Sequence, residues 1–206
     1  MLSYDEIIER TVSFVKTSLS NAEGHDRWHI YRVWKSAKHI ASQEKVNILV
    51  VELALLHDIA DSKFHGDEDI GPKTAKIFLQ LEVDQEIITH VENIVRYISF
   101  KNNTQSFRSP ELDVVQDADR LDAIAIIART FNYGHMRTLY DPTIQPNLTM
   151  TKEEYKNSTA PTLNHFYEKL LLLKDLMHTT TKEIAQQRHA FMELYLEQFY
   201  NEREKK

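Results

Sequence analysis

Between Ile48 and Leu56 the chain reads Ile-Leu-Val-Val-Glu-Leu-Ala-Leu-Leu, and the run closes on His57-Asp58. An amphipathic surface helix leaves a broad polar face, so a stretch this apolar predicts a helix buried nearly all round. An imidazole and a carboxylate at the end of such a helix are costly unless they are paired or hold a cation. The fold must therefore bring groups of the right chemistry to that point. Two candidates stand elsewhere: His29 upstream, and the run Asp117-Ala118-Asp119-Arg120-Leu121-Asp122 downstream. In order they spell H…HD…D, a ligand set for one divalent metal.

The rest of the sequence says what kind of scaffold carries this set. Its 206 residues include only 4 Gly and 5 Pro, and no run of strictly alternating β-branched residues. Few punctuators and long apolar periods predict an all-α protein. A hydrophobic fraction of 42% at this length is enough for a sizeable core. The formal charge of −6, from 25 basic and 31 acidic residues, argues against a general nucleic-acid surface. With no cysteine, disulfides, thiolate metal sites and a cysteine nucleophile are excluded. The cysteine-free composition, the acidic start without a signal-peptide core and the lack of a membrane-length apolar stretch lead us to expect a cytoplasmic protein with no membrane association.

Helix signals recur along the chain. Ser3 and Glu6 form a capping box opening a helix to about Leu19. A second helix is expected after the turn at Asn21–Gly24, running to about Lys45 with Ile30, Val33, Trp34, Ala37, Ile40 and Ala41 on its core face, bordered by His29. The buried helix ending at His57-Asp58 is third. A loop over 62–66 leads to a helix over about 68–81. Asp84 caps the next, with Ile87, Ile88, Val91, Ile94, Val95 and Ile98 in one stripe. Ser109-Pro110 is a cap followed by proline at the first helical position, starting a helix to about Arg129. Residues 131–150 form the longest irregular segment, a candidate lid carrying Tyr133 and Tyr140 as stacking aromatics. After a second capping box, Thr151 with Glu154, two helices are expected over about 162–177 and 181–202. The last has Ile184, Phe191, Met192, Tyr195, Leu196 and Phe199 on one face.

Two neutral imidazoles and two carboxylates suit a borderline-to-hard ion and leave positions open if it is six-coordinate. Zn²⁺, which prefers four ligands, is nearly saturated by the same set. Mn²⁺ is favoured, with Fe²⁺, Mg²⁺, Co²⁺ or Ni²⁺ as alternatives. His29, His57, Asp58 and Asp119 are the expected ligands. Asp117 points to another side of its helix and reads as an outer-sphere or core group, while Asp122 lies three residues past Asp119 on nearly the same face.

The segments around His29 (His25-Asp26-Arg27-Trp28-His29), around His57-Asp58 (Leu55-Leu56-His57-Asp58-Ile59-Ala60-Asp61) and around Asp119 (Gln116-Asp117-Ala118-Asp119-Arg120-Leu121-Asp122) resemble the HD-domain superfamily of metal-dependent phosphohydrolases. The part from His165 through Arg188 is similar to a small bacterial single-domain branch of it. The resemblance implies one all-α helical bundle of about 8–10 helices spanning 1–206, with a metal-binding core over about 20–130 and C-terminal helices over about 151–202. It also implies hydrolysis of phosphate esters or anhydrides. The branch is similar to nucleoside triphosphate hydrolases or pyrophosphohydrolases. Nucleoside monophosphatases, cyclic-nucleotide phosphodiesterases and alarmone hydrolases belong to the same superfamily. The last resemble His-Asp-x-x-Glu-Asp at the metal-bearing loop, where this chain has Asp61 and Ser62. A metal-stapled nucleotide sensor is the non-enzymatic alternative. Two-metal members carry extra histidines between the HD pair and the last Asp. His65 and His90 stand there, but His90 reads as packing, so one ion is expected.

For phosphoryl chemistry, a nucleophile, neutralisation of phosphate charge and a path for the leaving group are needed. Asp61 is expected to orient or deprotonate the attacking water. Lys63 and His65 follow in the same loop as contacts to phosphate oxygens or a leaving group. Arg27, Lys73, Arg96, Lys101 and Arg108 are candidate substrate contacts. Asp122 and Asp117 are candidates to hold ligands or water in place. The expected partner is a small-molecule nucleotide, and the expected assembly a monomer or homodimer.

Overall fold

In a computed structural model the described residues are 2–18, 27–58, 70–80, 83–98, 107–125, 139–151, 154 and 158–204. Among them are eight α-helices and no strand: α1 (Tyr4–Ser18), α2 (Arg27–Ala41), α3 (Ile48–Leu53), α4 (Ile70–Leu79), α5 (Gln85–Tyr97), α6 (Pro110–Ala123), α7 (Thr162–Glu168) and α8 (Lys182–Glu204). Two 3₁₀ segments, Ala54–Asp58 and Leu170–Leu176, continue α3 and follow α7. The chain divides into two compact units, Met1–Asp119 and Arg120–Lys206.

The first unit holds the candidate ligands. The Ser3–Glu6 capping box forms as expected: the Ser3 N–H donates to Glu6 Oε2 at 2.7 Å, and the Glu6 N–H to Ser3 Oγ at 3.3 Å. The α2 helix stops at Ala41, short of the expected Lys45. Residues 42–45 offer no apolar side chain to the core, and the backbone tightens into turns, with the Gln43 N–H on Ile40 O and the Glu44 N–H on Ala41 O. Asn47 then caps α3, its side-chain oxygen accepting from the N–H groups of Leu49 and Val50. Every residue from Val50 to Leu56 is buried, as the apolar run requires. The helix is shorter than expected, because the last turn before His57-Asp58 tightens to 3₁₀.

The α5 stripe holds at Ile88, Val91, Ile94, Val95 and Ile98, all buried, while Ile87 at its edge is half-buried. Ser109 caps α6 through its hydroxyl to the Leu112 N–H at 3.1 Å. Two polar anchors fix the first turns of α6. Glu111 Oε1 accepts the Asn47 N–H at 2.8 Å, and the Gln116 amide donates to the carbonyls of Tyr97 and Ile98. Leu112, Val114, Val115 and Ala118 then face the core, which sets where Asp119 emerges. The helix ends at Ala123, before the expected Arg129; residues 126–138 lie outside the described residues.

In the second unit the helix expected over 162–177 is interrupted. Lys169, at φ −143° and ψ −57°, breaks α7, and the chain resumes as 3₁₀ helix. The Arg120 guanidinium donates to the Leu176 carbonyl at the far end of that segment. Helix α8 buries Ala185, His189, Met192 and Leu196, whereas Ile184 and Phe191, expected on the core face, are exposed. Met192 and Leu196 are buried as expected, and Ala185 and His189 complete the row in place of Ile184 and Phe191; an apolar count passes over the histidine. The described end of the 131–150 segment is tied down. The Leu163 N–H donates to Leu139 O, the Asn164 amide to Ile144 O, and the Asn147 N–H to Glu168 Oε1. The Tyr140 ring packs against Phe199 and Tyr200, with the Arg203 guanidinium over it at 4.9 Å, so it serves as a packing residue here. Tyr133 lies outside the described residues.

Candidate metal centre

Three of the four expected ligands meet in the first unit. His29 from α2, His57 from the 3₁₀ turn after α3 and Asp119 from α6 each place one ligand atom within 4.8 Å of the other two. His29 Nε2 stands 3.4 Å from Asp119 Oδ1, and the two imidazoles cross edge-on with centroids 6.3 Å apart. His29 is only 2% exposed, whereas the Asp119 side chain is 37% exposed, so the cluster is walled on one side and open on the other. Behind His57 a small cavity is lined by Val33, Trp34, Ala37, Val51, Ala54, Leu55 and Val115.

The arrangement fits a bound cation. Ligand atoms about 2.1 Å from one ion stand about 3.0–3.4 Å apart when adjacent and about 4.2 Å apart when opposite. The 3.4 Å separation falls in the first range, and a limit of 4.8 Å on all three is within a rotamer adjustment of the second. His57 supplies a second observation. Its Nδ1–H donates to the Ala54 carbonyl at 2.8 Å, which leaves the lone pair on Nε2. A backbone carbonyl behind the imidazole is the usual device for orienting a metal-binding histidine. Two imidazoles and a carboxylate from three helical segments are a donor set for a divalent ion.

Asp58 closes the 3₁₀ turn, and its side chain, like that of Arg27, lies outside the described residues, as do Asp61, Lys63, His65 and Lys101. Asp117 is fully buried and is not one of the three clustered ligands. Asp122 belongs to the second unit, where its charge faces Arg188. Burial pushes the Arg188 guanidinium down from its ordinary value while Asp122 pulls it back up, and Arg188 also donates to the Leu121 carbonyl. Lys73 is exposed on α4. Arg96 reaches Glu92 and Arg108 reaches Asp113, each at 3.4 Å. His90 meets Ser109 Oγ at 2.9 Å and Glu111 at 3.4 Å and stacks edge-on with Phe107, the packing role expected of it.

One buried acid escaped the sequence reading. Glu52, the single charge in the apolar run, is 0% exposed. Its Oε1 accepts from Lys38 Nζ at 2.7 Å and from the Trp34 indole N–H at 3.1 Å. Burial pushes its carboxyl above the usual glutamate range. The signal was present in the sequence as a lone Glu inside a buried helix, with Lys38 and Trp34 four residues apart upstream.

A family model described as HD domain matches residues 28–124, a span that holds all three clustered ligands. A Bacillus thuringiensis HD-superfamily hydrolase of known structure is 43% identical, with a TM-score of 0.74 over 99% of this chain and 100% of that one. The Bacillus subtilis protein YpgQ is 32% identical over 203 residues, 92% of this chain and 90% of the relative. The chain belongs to the HD-domain superfamily of metal-dependent phosphohydrolases. A Lactobacillus plantarum structure is 34% identical, with a TM-score of 0.85 and full coverage of both chains. YpgQ has also been solved in complex with ADP, in a structure 29% identical with a TM-score of 0.63 over 98% of this chain and 97% of that one. No helix among the described residues is long and apolar enough to cross a membrane.

Proposed function

We propose that this HD domain hydrolyses nucleoside triphosphates, releasing pyrophosphate or orthophosphate, with Mn²⁺ as the working ion. The observation that carries the reading is the meeting of His29, His57 and Asp119. The ADP complex of YpgQ supports a nucleotide as the ligand class. When bound, such an ion lowers the pKa of water toward neutrality and draws charge from a phosphoryl oxygen.

The chain's own residues do the remainder. His29 and His57 hold the ion from the buried side, the latter oriented by the Ala54 carbonyl. Asp119 completes the described set on the exposed side, and Asp58, next to His57 in the chain, is the fourth ligand. Asp61 orients the attacking water. Lys63, His65 and Arg27 neutralise phosphate oxygens from the segments flanking the cluster in sequence.

The test is turnover of a nucleotide panel by Mn²⁺-loaded protein, with pyrophosphate and orthophosphate assayed separately. The expected result is a metal-stimulated release that the folded His57→Ala variant lacks. Product equal to that variant's background across the panel refutes the reading. Tight nucleotide binding without turnover would make the protein a sensor.

A further inference from the structure

The Trp34–Lys38–Glu52 network is not part of the metal cluster, yet it lies between the two elements that carry the histidines. Helix α2 packs on α3 and on the 3₁₀ turn, and the two bonds to Glu52 are polar ties between α2 and α3. On the α2 side, Trp34 is five residues beyond His29, about 7.5 Å along the axis. On the α3 side, Glu52 is two residues before Ala54, whose carbonyl holds the His57 ring. Trp34 and His57 also line the same small cavity. A shift between the helices would therefore change the separation of the two imidazoles directly.

The chemistry of the pair is unusual for a contact serving stability alone. Glu52 is fully buried, and one of its oxygens takes both donors, while Oε2 is buried and makes no hydrogen bond among the described residues. An apolar residue would fill the site without that desolvation. What a carboxylate adds is direction. The indole N–H and the ammonium group must both point at a single oxygen, and a greasy contact permits sliding that these bonds forbid. Lys38 also lies over the Trp34 ring at 5.0 Å, so the three groups constrain one another.

We propose that Glu52 is a positioning residue for the metal centre: through Trp34 and Lys38 it locks α2 against α3 and sets the spacing of His29 and His57. The inference rests on the metal-centre reading above and extends it to groups that touch neither ion nor substrate. Residues that orient metal ligands from outside typically change metal affinity by about 10–100-fold when altered.

The test is Mn²⁺ titration of the full chain, followed by calorimetry and by the electron paramagnetic resonance of free Mn²⁺, with a thermal melt of each variant. Glu52→Gln keeps the shape and removes the charge. Trp34→Phe removes only the indole N–H and guards against a Glu52 variant that does not fold. Ile94→Val, in the α5 core, is the control for simple destabilisation. The expected result is a Kd for Mn²⁺ about tenfold weaker in Glu52→Gln and in Trp34→Phe, with cooperative melts, and an unchanged Kd in Ile94→Val. Glu52→Gln or Trp34→Phe protein that binds Mn²⁺ like the wild type overturns the proposal while leaving the metal centre intact. A loss in Ile94→Val equal to theirs overturns it as well, because the effect would then follow stability. Wild-type protein that binds no divalent ion overturns the metal centre itself and the positioning role with it.

Discussion

If His29, His57 and Asp119 grip one ion, metal binding must stabilise the folded chain, and removing one ligand must weaken that gain. An ion that binds only the folded state stabilises it by RT ln(1 + [L]/Kd), about 2.7 kcal/mol at one hundred times Kd. Unfolding entropy is about 2.1 cal/mol/K per residue, so 206 residues melting together give about 0.43 kcal/mol/K and a rise in Tm of about 6 °C. The three ligands all lie in the unit Met1–Asp119. Should that unit melt by itself, its slope is about 0.25 kcal/mol/K and the rise about 11 °C. The assay is differential scanning calorimetry of chelator-treated protein with and without Mn²⁺. His57→Ala also removes the 2.8 Å bond to Ala54, which shifts its metal-free Tm, so the increments are compared and not the absolute values. The increment is expected to fall below about 2 °C in His57→Ala and Asp119→Asn at the same Mn²⁺ concentration. An increment in His57→Ala equal to the wild-type one would refute the ligand assignment. A wild-type melt indifferent to Mn²⁺, Mg²⁺, Fe²⁺ and Co²⁺ would refute the centre.

Three further outcomes follow from the packing and electrostatics. Leu56→Ala empties a fully buried site one residue before His57, and a loss of about 2–5 kcal/mol in urea denaturation is expected. Arg188→Met takes away the donor to the Leu121 carbonyl and the charge facing Asp122, which is 4% exposed, so a drop of about 1–3 kcal/mol in the same assay is expected, with Arg188→Lys falling between. The pH dependence has two opposite parts. Hydrogen bonds from Ser3 and Thr151 hold Glu6 and Glu154 below the ordinary value of 4.5, and Thr143 holds Asp141 below 3.8, so their stabilisation is complete above those values and is lost as pH falls through the lowered ones. Burial raises Glu52, so its contribution has the other sign: stability declines as pH rises from 4.5 through the raised value. Urea midpoints measured against pH should show a shallower acid limb in Ser3→Ala with Thr151→Ala, the part due to Asp141 remaining, and lose the decline above 4.5 in Glu52→Gln.

The sequence made the helices legible where a local signal was sufficient. Ser3 with Glu6, Ser109-Pro110 and Thr151 with Glu154 each name their own partner within a few residues, and each forms as its spacing predicts. His29, His57 and Asp119 were legible through the H…HD…D order and the family it resembles, since with 31 acidic residues the need of a buried imidazole for a partner does not by itself select Asp119. Helix ends were less so. Residues 42–45 are acceptable helix formers, and α2 stops there because nothing in the core receives them. The 3₁₀ tightening at Ala54–Asp58 and the break at Lys169 are likewise tertiary, since neither segment contains Gly or Pro to announce it. The exposed Ile184 and Phe191 on α8 show the limit of periodicity: adjacent apolar rows on one helix look alike until their neighbours choose between them.

Glu52, outside the metal cluster, shows the same limit and supports one more argument. A buried ion pair can often be replaced by apolar side chains of similar volume with no loss, or with a gain of about 1–4 kcal/mol. Lys38 is 48% exposed, so solvent screens part of this pair and its net contribution to stability is small. If stability were the reason for the pair, Lys38→Met with Glu52→Leu would melt at a lower temperature and bind Mn²⁺ as before. If register is the reason, the double variant melts at the same temperature or higher, because the desolvation of the carboxylate is gone. It then binds Mn²⁺ about tenfold more weakly, because the helices that carry His29 and His57 are held by contacts without direction. Stability and metal affinity therefore move apart in one protein and together in the other. Calorimetry of the melt and of the Mn²⁺ titration on the same sample decides between them, and a double variant with wild-type affinity would leave Glu52 with no role in the metal centre.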